Sequence, residues 1–124
     1  MHADISWFKT FLAEAVRKKD EYAAAGAAVD AGDLALRLKD WNAAKQFALS
    51  GIGASRPKRL QVREMENLLV LRAAERQLGN LAESERLGGE VLRLAATVGF
   101  EKPEEFGGRQ DLLYFWRLGG GGSR

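Results

Sequence analysis

Four residues, Leu78-Gly79-Asn80-Leu81, stop one helix and start the next with no room for a loop between them. Glycine suits the left-handed position just past a helix end, because it has no Cβ to clash. Asn80 is a good N-cap, and Glu83 three residues later gives the spacing of a capping box, with Asn in place of Ser or Thr. Helices joined this tightly must run antiparallel, side by side. The stretch from Ser55 to Gly99 is therefore expected to be a helical hairpin.

Both arms read clearly. In the second, Leu81–Val98, the residues Leu81, Ser84, Leu87, Gly88, Val91, Leu94, Ala95 and Val98 fall at steps of three and four on one face. Glu83, Arg86, Glu90, Arg93 and Thr97 take the other. Gly88 lies on the apolar face, where a closely approaching neighbour could offset its helix-weakening effect of about 1 kcal/mol. The first arm has Pro57 in its expected first turn, where a missing N–H does no harm. Leu60, Met65, Leu68, Leu71 and Leu78 form a stripe that Val62, Leu69 and Ala73 widen, so this helix should pack on more than one side. Arg72 and Glu75, three apart inside the arc, are placed to pair with each other.

Elsewhere the chain also has helical periodicity. Asp4 or Ser6 can cap a first helix whose face carries Ile5, Trp7, Phe8, Phe11, Leu12, Ala15 and Val16. About Asp20 to Leu38 reads as a second helix, or a kinked continuation of the first, rich in alanine and suited to close packing. Asp40 caps a third, Trp41 to about Ile52, which Gly51-Ile52-Gly53-Ala54-Ser55 is expected to end. After Gly99, residues 101–108 read as a loop or a broken short helix around Pro103, and 109–118 read as a short helix carrying Tyr114, Phe115 and Trp116. The fold class expected is all-α.

The hairpin is not unique. DWNAAKQFALSGI (Asp40–Ile52) matches NLAESERLGGEVL (Asn80–Leu92) at an offset of 40: cap for cap, Trp41 for Leu81, Ala44 for Ser84, Phe47 for Leu87, Ala48 for Gly88. A period of this size is used by paired-helix solenoids. The same offset lays Leu78-Gly79 on Leu118-Gly119, so 109–118 would be the first helix of an incomplete third repeat, docked beside the Leu81–Val98 helix.

The segments LGNLAESERLGGEVLRLA and KDWNAAKQFALSGIGASRP resemble the tetratricopeptide repeat (TPR) family, with small residues at fixed helix positions and a Gly/Asn or Asp turn followed by Leu or an aromatic. The resemblance covers residues 25–98. It implies a single TPR-like domain over 1–118, arranged as a right-handed superhelical array, with repeat units at about 25–58 and 59–98, a capping helix at 109–118 and a flexible Gly-rich tail at 119–124. It also implies an interaction module that binds a peptide segment or partner protein in a groove lined by Asp33, Leu36, Leu69, Ala73 and Arg76. The Lys and Asn with which some members hold a peptide carboxylate are absent; those positions carry Val29, Asp33, Leu69 and Ala73.

Composition adds limits. With 124 residues the chain fits one domain, and 19 Lys and Arg against 17 Asp and Glu give a net charge of +2, no strong pull toward nucleic acid or membrane. There is no Cys, and no apolar run reaches membrane-spanning length; the N-terminus lacks a signal-peptide pattern, and a cytoplasmic location is expected. His2 is the sole His, so no triad, metal site or cofactor is expected, and no catalytic motif stands out. A non-catalytic adaptor, scaffold or chaperone-like module is the leading expectation. One alternative is a nucleic-acid-associated protein using the basic cluster Arg56, Lys58, Arg59 and Arg63. Another is a homo-oligomer. Tyr114, Phe115 and Trp116 point in different directions from one helix, so they either pack inside the fold or form an interface.

Overall fold

A computed structural model of the chain describes residues 9–10, 13–14, 20–100 and 106–120. Among these residues the fold is all-α, with no strand. Its helices are α1 (Glu21–Arg37), α2 (Trp41–Ser55), α3 (Gln61–Gln77), α4 (Leu81–Thr97) and α5 (Gln110–Leu118), with 3-10 turns at Arg56–Lys58 and Phe106–Gly108. The helix expected before Asp20 lies outside the described residues, except that Lys9, Thr10, Ala13 and Glu14 are helical and exposed.

Aspartates open the first two helices. Asp20 Oδ1 accepts from the Ala23 amide at 3.0 Å, and Asp40 Oδ1 from that of Ala43 at 3.2 Å. Asn80 holds the N-cap position of α4 but makes no capping bond, so the expected capping box is not formed. Its Nδ2 instead donates to Glu75 Oε1 at 3.3 Å. Glu75 is buried at the end of α3 and draws both this amide and Lys45 Nζ, 3.1 Å away. Glu83, the other half of the expected box, is bonded to Arg86.

The same turn ends three helices. The amides of Asp40, Asn80 and Phe100 reach back to the carbonyls of Ala35, Glu75 and Ala95 at 2.8, 2.8 and 2.7 Å. In each turn the residue before that amide is left-handed: Lys39 (φ 59°), Gly79 (88°) and Gly99 (95°). Such closure satisfies carbonyls that a helix end leaves without partners. Lysine pays a steric penalty in this conformation that glycine does not. Lys39→Gly should therefore stabilise by about 0.5–1 kcal/mol, net of the extra freedom glycine gives the unfolded chain. A thermal melt with an unchanged or lower midpoint would count against this account. α5 ends with the same C-cap and left-handed pair, Gly119 and Gly120 (φ 94°), one residue later than the 40-residue offset from Leu78-Gly79 predicts.

Helix α2 runs further than its glycines suggest. It continues through Ser55, whose Oγ donates to the Gly51 carbonyl at 2.6 Å. Pro57 sits in the 3-10 turn that prolongs α2 rather than in the first turn of α3. Left-handed Arg59 (φ 54°) then redirects the chain, and α3 starts at Gln61.

The core is built around α3, which packs against α1, α2, α4 and α5. Every residue from Met65 to Glu75 is buried, as the wide apolar arc of the sequence requires. Because this burial goes all the way round, polar side chains are enclosed with the apolar ones, among them Glu66, Asn67 and Arg72. Glycines receive two of them. A Cβ on Gly51 would lie 2.0 Å from Asn67 Oδ1, and one on Gly88 would lie 3.2 Å from Arg72 Nε. Gly88 is thus at a close approach between α4 and α3, as its place on the apolar face predicts. Gly88→Leu should overpack this contact and destabilise by about 1–2 kcal/mol. At Gly89 a Cβ would meet only Arg93 Nη1, at 3.8 Å, so Gly89→Ala should gain about 1 kcal/mol from helix propensity. Chemical denaturation of both variants checks the pair, and equal effects would show that the face is misassigned.

α5 docks chiefly on α3, not beside α4 as the repeat offset implies. The reason lies in side chains on α3. Arg72 Nη1 donates to the Trp116 carbonyl at 2.8 Å, and Gln77 Nε2 to the Leu118 carbonyl at 3.2 Å. Both carbonyls belong to the last turn of α5, where helical partners run out. Arg72 therefore does not pair with Glu75.

Candidate functional site

The predicted groove is not open. Leu36, Leu69 and Ala73 are fully buried, and only Asp33 and Arg76 of that set reach solvent. α1, α2, α4 and α5 all pack on α3 and cover these positions, and at the rim the Arg37 guanidinium lies 4.4 Å from the centroid of the Tyr114 ring. Side chains that would line a groove in an open array become core here.

The aromatic run packs within the fold. Phe115 is buried, and Tyr114 and Trp116 are half-buried, each with an arginine over one ring face. Arg72 lies 4.1 Å from the Trp116 ring, and Phe106 and Phe100 extend the stack edge-on at 6.0 Å spacings. Gly119, assigned to the flexible tail by sequence, is buried against Arg72; residues 121–124 lie outside the described residues.

The basic cluster is partly neutralised. Arg56 bonds Glu64 at 2.9 Å and Glu90 at 3.2 Å, and Arg63 Nη1 holds Glu66 at 3.0 Å. Lys58 and Arg59 remain exposed.

What the structure does bring together is a polar strip across α1, α3 and α5. Tyr22, 60 % exposed, carries the Arg63 guanidinium 4.5 Å above its ring. Arg63 reaches Glu66, which is fully buried and also meets Arg109 Nη1 at 2.6 Å. Arg109 Nη2 in turn holds Asp111 at 2.7 Å. Burial alone would pull the arginine pKa values down, but bonds to these carboxylates outweigh it, Glu66 for Arg63 and Asp111 and Glu66 for Arg109, and both are raised. Toward the other end Asp33 accepts from Arg37 Nε at 2.8 Å, and Arg37 covers Tyr114.

Asp30 lies among these charges. Its pKa is raised, by burial first and then by Asp33, Glu66 and Asp111, against the pull of Arg63. A carboxyl whose folded pKa exceeds its unfolded value favours folding in its protonated form, and that contribution is lost as pH rises through the folded pKa. Asp30→Asn should therefore stabilise near neutral pH, by at most about 0.5 kcal/mol because solvent screens an exposed group. The gain should vanish below the unfolded pKa near 4. Melts at pH 3 and pH 7 decide this; equal gains at both would assign the effect to something other than charge.

Of these residues, sequence reasoning selected Asp33, Arg63 and Tyr114. It missed Tyr22, Asp30, Arg37, Glu66 and Arg109, although a glutamate between Met65 and Leu68 in a wide apolar arc was a usable signal. An open hollow of about 600 Å³ at the α3–α4 turn is lined by Glu75, Gly79, Asn80, Leu81, Ala82 and Glu83. Its two carboxylates are already paired, Glu75 with Lys45 and Glu83 with Arg86. Among the described residues no group of three or more His, Cys, Asp or Glu could hold a metal ion, and no helix is long and apolar enough to cross a membrane.

No family model, no curated protein and no solved structure matches the chain.

Proposed function

We propose that the chain is a non-catalytic interaction module of TPR-like type. Its partner-binding surface is the strip Tyr22–Arg63–Asp30–Asp33–Arg37–Tyr114, and its partner is a segment of another protein. The observation that carries this reading is the pair of arginine–tyrosine stacks, Arg63 on Tyr22 and Arg37 on Tyr114, with carboxylates between them. Tyrosine and arginine are enriched where proteins bind one another, because they offer large contact area with few freely rotating bonds. Here the stacks and ion pairs already fix the side chains, which lowers the entropy lost on binding. The matched turns after α1 and α3 and the two successive hairpins support the repeat assignment.

Affinity capture with the intact chain tests this. Tyr22→Ala combined with Asp30→Lys should abolish capture of a partner while the thermal midpoint stays within a few degrees of wild type. Undiminished capture would sink the strip as the binding surface. Loss of capture with Lys58→Glu and Arg59→Glu instead, together with steep salt sensitivity, would point to nucleic acid.

A further inference from the structure

The arginines along the strip are already engaged. Arg63 holds Glu66 at 3.0 Å, Arg109 holds Glu66 and Asp111 at 2.6 and 2.7 Å, and Arg37 holds Asp33 at 2.8 Å. Four carboxylates, Asp30, Asp33, Glu66 and Asp111, thus share three arginines, and Asp30 is the one left over. Among the described residues it forms no hydrogen bond or ion pair; it feels Arg63 only at a distance.

Its position makes this informative. The exposed residues of α1 are Tyr22, Asp30 and Arg37, about two turns apart along one face. At both ends of that line the chain supplies its own cation, Arg63 over Tyr22 and Arg37 over Tyr114. Gly26, one turn before Asp30, makes room for the first: a Cβ there would lie 3.4 Å from the Arg63 guanidinium carbon. In the middle, at Asp30, the chain supplies none. The ionised carboxylate also works against the fold, because burial and then Asp33, Glu66 and Asp111 outweigh the pull of Arg63. A charge held at a cost to stability is characteristic of functional surfaces. A cation brought against it from outside would offset that cost, since an opposite charge favours the ionised form.

We propose that the protein segment bound at the strip carries a lysine or arginine that pairs with Asp30, between the two tyrosines. This rests on the strip being the partner-binding surface. Random linear peptides displayed on phage, panned against the intact chain, test it. The enriched sequences should share a Lys or Arg. Replacing that residue by Gln in a synthetic peptide should weaken binding about tenfold, and so should Asp30→Asn in the chain. Both changes together should be little worse than either, because they remove the same pair. Asp30→Asn is expected to stabilise the fold near neutral pH, so unfolding does not explain its loss of affinity. Asp30→Lys should recover binding to a peptide whose basic residue is replaced by Glu. Enriched peptides that bind the Tyr22→Ala, Asp30→Lys chain undiminished reject the strip, and this inference with it. Peptides that need the strip but share no basic residue leave the strip standing and overturn the pairing. So does a shared basic residue whose loss adds in full to that of Asp30→Asn. A free chain that is dimeric by light scattering, and monomeric as Asp30→Lys, would give Asp30 to a second copy and overturn the pairing as well. Panning that enriches nothing counts against both readings.

Discussion

Arg72→Ala should lower the unfolding free energy by about 2–3 kcal/mol, whereas Arg72→Met should stay within about 1 kcal/mol of the native chain. Arg72 is only 7 % exposed, and neighbouring backbones close around it: a Cβ on Gly119 would lie 2.5 Å from its Nη1. Truncation to Ala removes a charged hydrogen bond to the Trp116 carbonyl, of the kind that contributes about 1.5–3 kcal/mol. It also removes the stack on the Trp116 ring, about 0.5–2 kcal/mol, and leaves a cavity. Against these losses stands the desolvated cation. The pKa of Arg72 is pushed down to about 10, by burial first and then by Arg76. A base whose folded pKa lies below its unfolded value weakens folding while charged, fully below about pH 10, and the effect fades as pH rises further toward the ordinary arginine pKa. Met fills similar volume without that charge, so relief from desolvation offsets the lost hydrogen bond. Urea denaturation of both variants at pH 7 separates the terms. If Ala and Met prove equal, the cavity contribution is absent and the packing around Arg72 has been misread.

The same residue marks where sequence reading stops. Turn chemistry is local, so Gly79 and Asp40 could be assigned from their neighbours alone. Periodicity is local too, and the unusually wide apolar arc of α3 already implied contact on several sides. The partners of Glu66, Asn67 and Arg72 are not local: they depend on which helices converge on α3, and Trp116 lies 44 residues from Arg72. The groove failed for a related reason. Leu36, Leu69 and Ala73 line a groove only if no other helix covers them, and with four helices packed on α3 all three are buried. Gly51 failed differently. The stretch Gly51-Ile52-Gly53-Ala54-Ser55 is expected to end α2 because its glycines weaken a helix, yet α2 continues through Ser55 and the space at Gly51 is filled by a side chain from the adjacent helix.

That space yields the sharpest test of the packing. Gly51 and Gly53 are two residues apart in α2, and substitution by Ala should move stability in opposite directions. At Gly53 nothing lies within 4 Å of a new Cβ, so Gly53→Ala should add about 1 kcal/mol from helix propensity. At Gly51 the Cβ would fall 2.0 Å from Asn67 Oδ1 and 2.3 Å from its Cγ. Asn67 cannot swing away cheaply. It is fully buried, and its Nδ2 donates to the Ala25 and Arg63 carbonyls at 3.2 and 2.9 Å. Gly51→Ala should therefore destabilise by about 2–3 kcal/mol, the scale of overpacking. Asn67→Ala alone should lose about 1–2 kcal/mol with its hydrogen bonds. In the double variant the Cβ enters the volume the amide vacated, so the combined loss should fall short of the sum by at least about 1 kcal/mol. Denaturant melts of the four chains complete the cycle. Additive losses would mean that the clash is relieved by backbone shift rather than by Asn67, and that α2 and α3 are not locked through this pair.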